Sequence, residues 1–509
     1  MDAFYYLKIG KSSDLKNRKE RMLYRIFEII PGAASWLTLF SLFFLSWFKP
    51  VWAAVFAICF VVYWLFRTIY FSFHLRTCYK KMKENEGIDW LGKLKKMGNR
   101  RDIFHLVVFP MHKEPLEIIR GSFKALLNSD WPKDKMIVIL PYEEKAGRDA
   151  ARTAQIIKEE FQNVFFKLLI TCHPEGIEGE IPGKGSNESW GVVRAKQEII
   201  DTNKIPYENI IVSAFDADTA VFPKYFSCLA YYYLTVKDPL KTSFQPIPLF
   251  INNIWPASSV SRIFAFSASF WEMICSERPE KLITFSSHAM SFKTLSEVGF
   301  KQTNVVSEDS RIFWQCLLRY SGDYKVQPIY YPVSMDANVA PTFMKTMKNV
   351  YRQIRRWAYG AENVPYFLFG FLKDKKIPLA KKLSLGLTAF ETYWSWATNS
   401  IIIFFLGWLP LVLGGKEFGQ TLLSYNLPVF VRNILTIGMI GLVGSVFLSI
   451  LLLPPKPINF GRRKYLILSL EWFLLPFIMI VFTSIPALEA QTRLMLGKYM
   501  GFWPTPKIR

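Results

Sequence analysis

Residues 210–222 read IIVSAFDADTAVF, an apolar run that breaks at Asp216-Ala217-Asp218 and then resumes. Ile210, Ile211 and Val212 have the β-branched character of a strand buried on both faces. The carboxylates of Asp216 and Asp218 follow at its C-terminal end, the edge of an open α/β sheet where ligands bind. Aspartates at i and i+2 on a turn can converge on one hard divalent cation, Mg2+ or Mn2+, and a pyrophosphate can supply the remaining oxygens. Alone, the tripeptide reads equally as a polar turn. An EF-hand loop does not fit: counted from Asp216, Val221 stands where glycine is needed and Ser227 where glutamate is needed.

Working outward, strand-like and helix-like segments alternate. Ile103–Phe109, Met136–Leu140, Asn163–Ile170 and Ile210–Phe215 read as strands. Leu116–Asn128, with Pro115 before it, Asp149–Gln162 and Glu188–Asp201 read as helices. This rhythm predicts an α/β fold, a parallel Rossmann-like sheet with crossover helices. Neither GxGxxG nor GxxxxGK[ST] occurs.

The 509 residues exceed one ordinary core, and 51% are hydrophobic. That apolar content lies at the two ends. Residues 1–28 form a basic N-terminus, followed by two apolar runs, 29–48 without a charge and 51–73 with Arg67 alone. Each is long enough to cross a bilayer, which takes about 20 residues. After a polar segment over 75–380 come Thr392–Gly415, Asn433–Pro455 and Leu466–Leu488, about three further spans within 384–488, then a basic tail over 489–509. The lysines and arginines of the N-terminus and of the loop Lys456–Lys464, with Arg462 and Arg463, place both inside. The expected chain is therefore a multi-pass protein of the cell (inner or plasma) membrane with a cytoplasmic middle domain. Three spans after that domain would put the tail outside. The net charge of +22 suits an anionic membrane face or an anionic substrate. No nucleic-acid-binding motif accompanies it. Six scattered cysteines form neither a zinc pattern nor a disulfide framework.

Further candidates stand in the middle segment. Glu143 and Glu144 follow a strand, where acids can hold a uracil or ribose edge or simply face solvent. Lys184 lies in the glycine-bearing stretch Pro182–Asn187 ahead of the helix read from Glu188, a flexible loop suited to phosphate or to mere connection. Ser307-Glu308-Asp309 opens a helix-like stretch. Ser307 reads as its N-cap, with the acids favouring the helix N-terminus. Asp309 reads alternatively as a base for an acceptor hydroxyl. Gln353, Arg356 and Trp357 share one helical face. There the guanidinium can clamp phosphate and the indole can face a sugar ring, or the helix can lie on lipid headgroups.

Taken in order, these residues resemble the membrane-embedded glycosyltransferase family 2, the group with cellulose, chitin and hyaluronan synthases. Asp216-x-Asp218 matches its D-x-D, Ser307-Glu308-Asp309 its [TS]-E-D, and Gln353-x-x-Arg356-Trp357 its Q-x-x-R-W. The resemblance implies a GT-A nucleotide-sugar domain inserted between N-terminal and C-terminal transmembrane helices. It implies a UDP- or GDP-sugar donor held at Glu143, Glu144, Lys184, Asp216, Asp218 and Arg356. Mg2+ or Mn2+ would bind Asp216 and Asp218, and Asp309 would be the base. The glycan or lipid acceptor would meet Gln353, Trp357 and Glu308. The stretches Gln245–Trp255 and Ser286–Phe292 are further candidates for an acceptor groove. Glu143-Glu144 stands near where the family carries an Asp-Asp-Gly-like turn. Phe502–Lys507 (FWPTPK) resembles the F-x-V-T-x-K gating loop of cellulose synthases, with Pro504 in place of valine and a position after the last span. The expected activity is inverting, metal-dependent polysaccharide synthesis coupled to export through the spans. A glycolipid synthase is the alternative. A transporter would need more polar residues within its spans than the nearly solitary Glu471.

Overall fold

The computed structural model describes residues 4–98, 102–458, 461 and 463–508. Arg462 of the basic loop, the first three residues and Arg509 lie outside the described residues. One eight-stranded sheet organises the middle of the chain, in the order β3-β2-β1-β4-β7-β6-β8-β5. The strands are β1 Phe104–Val108, β2 Met136–Glu143, β3 Lys167–His173, β4 Ile210–Ala214, β5 Ala220–Val221, β6 Thr242–Leu249, β7 Ala289–Ser291 and β8 Lys325–Ser334. The helices that matter here are α1 Arg18–Phe48, α2 Pro50–Gly87, α3 Leu116–Leu127, α4 Arg148–Phe161, α5 Lys184–Ala195, α6 Ser259–Ser276, α7 Glu308–Arg319, α8 Phe343–Ala358 and α9 Leu379–Leu406. Two long apolar helical segments follow, α10 Leu422–Leu451 and α11 Arg463–Met495.

The parallel half behaves as its sequence predicts. Leu106, Val108, Ile137, Ile139, Ile210 and Val212 pack into one core layer. Val107, Val138, Leu140 and Ile211 pack into the layer on the opposite face, under α3 and α4. Alternation across a strand covered on both sides turns every residue into a core residue, so the runs look uniformly apolar.

The other half corrects the expectation of an all-parallel sheet. β7 runs antiparallel to both β4 and β6, and β5 antiparallel to β8. β6 and β8 pair in parallel but shift register between Gln245 and Ile247. Pro246, Pro248, Pro328 and Pro332 interrupt these strands. Proline cannot donate to a ladder, which hides such strands from pattern reading. The stretch Gln245–Trp255, expected to line an acceptor groove, is thus largely strand β6 and its exit.

Among the described residues, four helices are long and apolar enough to cross a membrane: α1, α2, α10 and α11. The span ending near Phe73 continues as helix to Gly87, because Leu75, Cys78 and Met82 keep a buried face at helical spacing. α9 begins well before the run at Thr392, and α10 begins before Asn433. The sequence leaves the place of the tail open. The tail returns to the sheet, where Ile508 O accepts from Asn253 Nδ2 at 2.9 Å and Lys507 pairs with Asp218. The tail therefore packs against the sheet domain.

Glu471 is part of a clamp rather than of a polar path. Arg262 of α6 donates Nε to its Oε2 at 2.8 Å and Nη2 to its Oε1 at 3.1 Å. The same guanidinium also holds the carbonyl of Ile254 at 2.7 Å. Both partners are buried. Arg262→Met should strand the carboxylate and lower stability by about 3–5 kcal/mol, whereas Arg262→Met with Glu471→Leu should recover most of that loss. Thermal melts of the detergent-purified variants check this.

Candidate active site

β4 ends at Ala214 and delivers the Asp216–Asp218 turn. Thr219 closes it: its N–H donates to Asp216 O at 3.0 Å, and its Oγ1 accepts from Asp216 N at 3.1 Å. Asp218 is fully buried, and its Oδ2 accepts from the Asp336 N–H at 2.8 Å and from Lys507 Nζ at 2.7 Å. Asp216 points the other way. Its Oδ1 lies 2.6 Å from Lys184 Nζ.

Lys184 is the centre of the arrangement. The same ammonium lies 2.6 Å from Asp309 Oδ2. Asp309 Oδ1 in turn accepts from Lys301 Nζ at 2.7 Å, and Lys301 also pairs with Glu188 at 3.0 Å. Burial works to raise the Asp309 carboxyl, but Lys184 and Lys301 outweigh it and hold it well below the usual carboxylate range. Burial, and then the Asp309 charge, push the neighbouring Glu308 up. His288 stays neutral, lowered to about 3 by burial and Lys301, with Nδ1–H donating to Phe285 O at 2.8 Å.

Local sequence explains much of this. α5 starts at Lys184, so the stretch expected to be a flexible loop is already the first helical turn. A Cβ on Gly185 would stand 2.9 Å from Glu308 Cβ, so only glycine lets the starts of α5 and α7 meet. Ser307 precedes α7 but caps no helical N–H. Its hydroxyl donates to Glu362 Oε1 at 2.7 Å, and that oxygen also accepts the N–H groups of Val306 and Ser307. The capping role expected of Ser307 is thus replaced by the anchoring of the turn on Glu362.

Gln353, Arg356 and Trp357 do share a face, and all three border the same cavity as Asp216, Lys184, Glu308 and Asp309. Gln353 Oε1 accepts from Asn338 Nδ2 at 3.1 Å. Trp357 sits among Phe250, Phe264 and Phe285, with ring centroids 5.5–6.1 Å away. Phe502 covers the Arg356 guanidinium at 4.6 Å. A Cβ on Gly183 would lie 2.5 Å from the same ring.

Glu143 borders the cavity and pairs with Lys145 at 2.8 Å. Glu144 does not join it: it is exposed and accepts from the Glu175 N–H at 3.0 Å. Asp218 sits behind Lys507. Of the stretches expected to form a groove, Phe250 and Ser286 reach the cavity, with Phe285 beside them. Lys301 and Glu188 were not singled out from sequence as parts of the site, and His288 and Lys507 only as members of the stretches Ser286–Phe292 and Phe502–Lys507. A lone lysine in Gly299-Phe300-Lys301 carries no local signal. The FWPTPK tail did carry one for Lys507.

The donor set suits a hard divalent cation. Asp216 and Asp218 each face an ammonium of their own, Lys184 and Lys507, and the Lys507 ammonium is drawn toward Asp218, Asp216 and Asp336 together. A cation is thus favoured where the D-x-D reading puts the metal.

The sequence matches no family model and no curated protein. Among solved structures the chain is similar to glycosyltransferases. One is the mannosyltransferase PcManGT from Pyrobaculum calidifontis in complex with GDP-Man and Mn2+, at 13% identity over 75% of this chain and 99% of that one, with a TM-score of 0.40. Another is TarS (1–349) of S. aureus in complex with UDP, at 12% identity over 68% and 90%, with a TM-score of 0.36.

Replacing Lys301 leaves the buried Glu188 and Asp309 to share Lys184 alone. Lys301→Met should cost about 3–5 kcal/mol of stability. A chemical or thermal melt in detergent measures it, and an unchanged midpoint would show that the pair contributes nothing.

Proposed function

We propose that the protein transfers a sugar, with inversion, from a UDP- or GDP-sugar to a hydroxyl of a growing polysaccharide. One observation carries the reading. The Lys184 ammonium bridges Asp216 and Asp309, so the candidate diphosphate site and the candidate base stand two hydrogen bonds apart on one cavity. In-line attack on an anomeric carbon needs leaving group and base disposed around one sugar, in hydrogen-bond reach of the groups that serve them.

Lys184 has a double role in this mechanism. With both oxygens held by ammoniums, Asp309 is a weak base. A donor diphosphate draws Lys184 toward itself, frees Asp309 Oδ2 and raises its basicity as the acceptor hydroxyl arrives. Arg356 adds positive charge where the nucleoside diphosphate departs. Asp216 and Asp218 would hold Mg2+ or Mn2+, which when bound supplies Lewis-acid neutralisation of the leaving group. Its arrival requires Lys507 to leave Asp218. The Phe502–Lys507 segment therefore acts as a displaceable cover over the donor site, in keeping with its resemblance to a gating loop. We place the catalytic domain in the cytoplasm, within a GT-A arrangement of family 2, on the basic N-terminus and the motif order. A lipid acceptor remains the second reading, because the cavity extends to Ile478 and Met479 of α11.

Asp309→Asn should lower transfer by about 10²–10⁴-fold while nucleotide binding survives. Nucleoside diphosphate release from a panel of nucleotide-sugars, followed by sizing of the product, checks this. Retained transfer in the variant would remove Asp309 from the base role. EDTA, or Asp216→Asn, should abolish Mn2+-dependent binding of a fluorescent nucleotide. Binding that is indifferent to both would exclude the metal assignment.

A further inference from the structure

Asp309 is held on two sides that differ in access. Its Oδ2 meets Lys184 at 2.6 Å, and both residues border the cavity. Its Oδ1 accepts from Lys301 Nζ at 2.7 Å, and that ammonium also donates to Glu188 Oε2 at 3.0 Å. The side chains of Lys301 and Glu188 are 4% and 3% exposed, and neither is among the described residues that line the cavity. The chain is built to deliver this ammonium. Phe300 takes a φ of +67°, a left-handed conformation that a bulky residue holds only where its surroundings impose it. Gln315 Nε2 of α7 donates to the Phe300 carbonyl at 3.3 Å, and Ser189 Oγ of α5 to the Lys301 carbonyl at 2.8 Å. The two helices thus fix the lysine between them.

An anionic donor that enters the cavity can draw off Lys184 but does not reach Lys301. A buried carboxylate stripped of every counter-charge takes up a proton and is lost as a base. Asp309 keeps its charge through that step only if one ammonium stays behind. Burial works to lower the Lys301 ammonium, yet Asp309 and Glu188 outweigh it and keep it charged. The hydrogen bond at Oδ1 also stops the carboxylate turning, which leaves Oδ2 toward Lys184 and the cavity. Resting on the glycosyl-transfer reading, we propose that Lys301, anchored by Glu188, is a positioning residue for the base: it holds Asp309 by Oδ1 and remains its counter-charge when Lys184 is drawn away. The acceptor O–H bond then breaks and its proton passes to Asp309 Oδ2. The acceptor oxygen bonds to the anomeric carbon as the bond to the diphosphate breaks, and that electron pair leaves with the nucleoside diphosphate.

The test uses the full chain in detergent and follows nucleoside diphosphate release across pH, with the donor that the panel of nucleotide-sugars identifies. Lys301→Met should lower kcat about 10²-fold and leave the binding of a fluorescent nucleotide as in the wild type. It should also move the acid limb of the kcat profile to higher pH, by at least about one pH unit. The sign follows from the charges. Asp309 faces Lys184 and Glu188 of α5, Asp216 after β4, His288 before β7, Lys301, and Glu308 beside it, with Arg356 of α8 beyond Glu308. Of the two ammoniums that favour its ionised, active form, the substitution removes one. Lys301→Met with Glu188→Leu removes both members of the buried pair, so it should recover the melting midpoint and keep the kinetic loss. If Lys301→Met does not fold, the double variant decides. A folded variant with wild-type kcat and an unmoved acid limb overturns the positioning role alone. So does nucleotide binding lost in step with kcat, which would put Lys301 in the donor site. Wild-type protein that releases no nucleoside diphosphate from any donor instead sinks the transferase reading, and the positioning role falls with it.

Discussion

The bridge from Asp216 through Lys184 to Asp309 is the constraint on which the rest depends. Three segments far apart in sequence, the end of β4, the start of α5 and the start of α7, meet at one ammonium. Opposite charges removed from water must pair closely or not ionise, so these starts cannot drift independently. Behind them Lys301 repeats the device, joining α5 through Glu188 to α7 through Asp309. The outcome is a row of alternating charges, carboxylate and ammonium, along one side of a cavity. Such a row is stable as it stands and easily re-paired when an anionic ligand enters.

The end of the chain uses the same physics. Lys507 completes the row at Asp218, and Phe502 lies on the guanidinium of Arg356. Both contacts engage groups that a nucleoside diphosphate and its metal would engage. A segment held by contacts with the ligand's own partners competes with the ligand and is released by it. Its hold includes the Lys507 ion pair, cation–π contacts of Arg356 with Phe502 and of Arg352 with Trp503, and a hydrogen bond from Asn253 to Ile508 O.

The long apolar helices are not a separate module fastened beside the sheet. α2 runs unbroken from its apolar half to Gly87, where Lys224 Nζ donates to the carbonyls of Glu86 and Ile88 at 3.0 Å. α6 is clamped to α11 by Arg262 and Glu471. Arg67 of α2 meets Glu391 of α9 at 2.6 Å, and Lys281 joins the same carboxylate. These ties fix the cavity's far walls relative to the carboxylates.

The sequence by itself determined the parallel half of the sheet, because uniformly apolar β-branched runs separated by amphipathic helices have few other stable arrangements. It determined the candidate site as well, through Asp216-x-Asp218, Asp309 and the helical face of Gln353, Arg356 and Trp357, since short-range spacing sets which side chains share a turn or a face. Only the tertiary structure decided the second half of the sheet, where prolines in β6 and β8 erase the periodic signal and β5 and β7 are too short to carry one. It alone separated Glu143 from Glu144, adjacent residues sent to opposite sides. It alone brought Lys301, Glu188 and Lys507 to the carboxylates. Those outcomes depend on which distant segments meet. Long-range pairing of charges and the satisfaction of buried polar groups belong to the folded chain, and no local pattern encodes them.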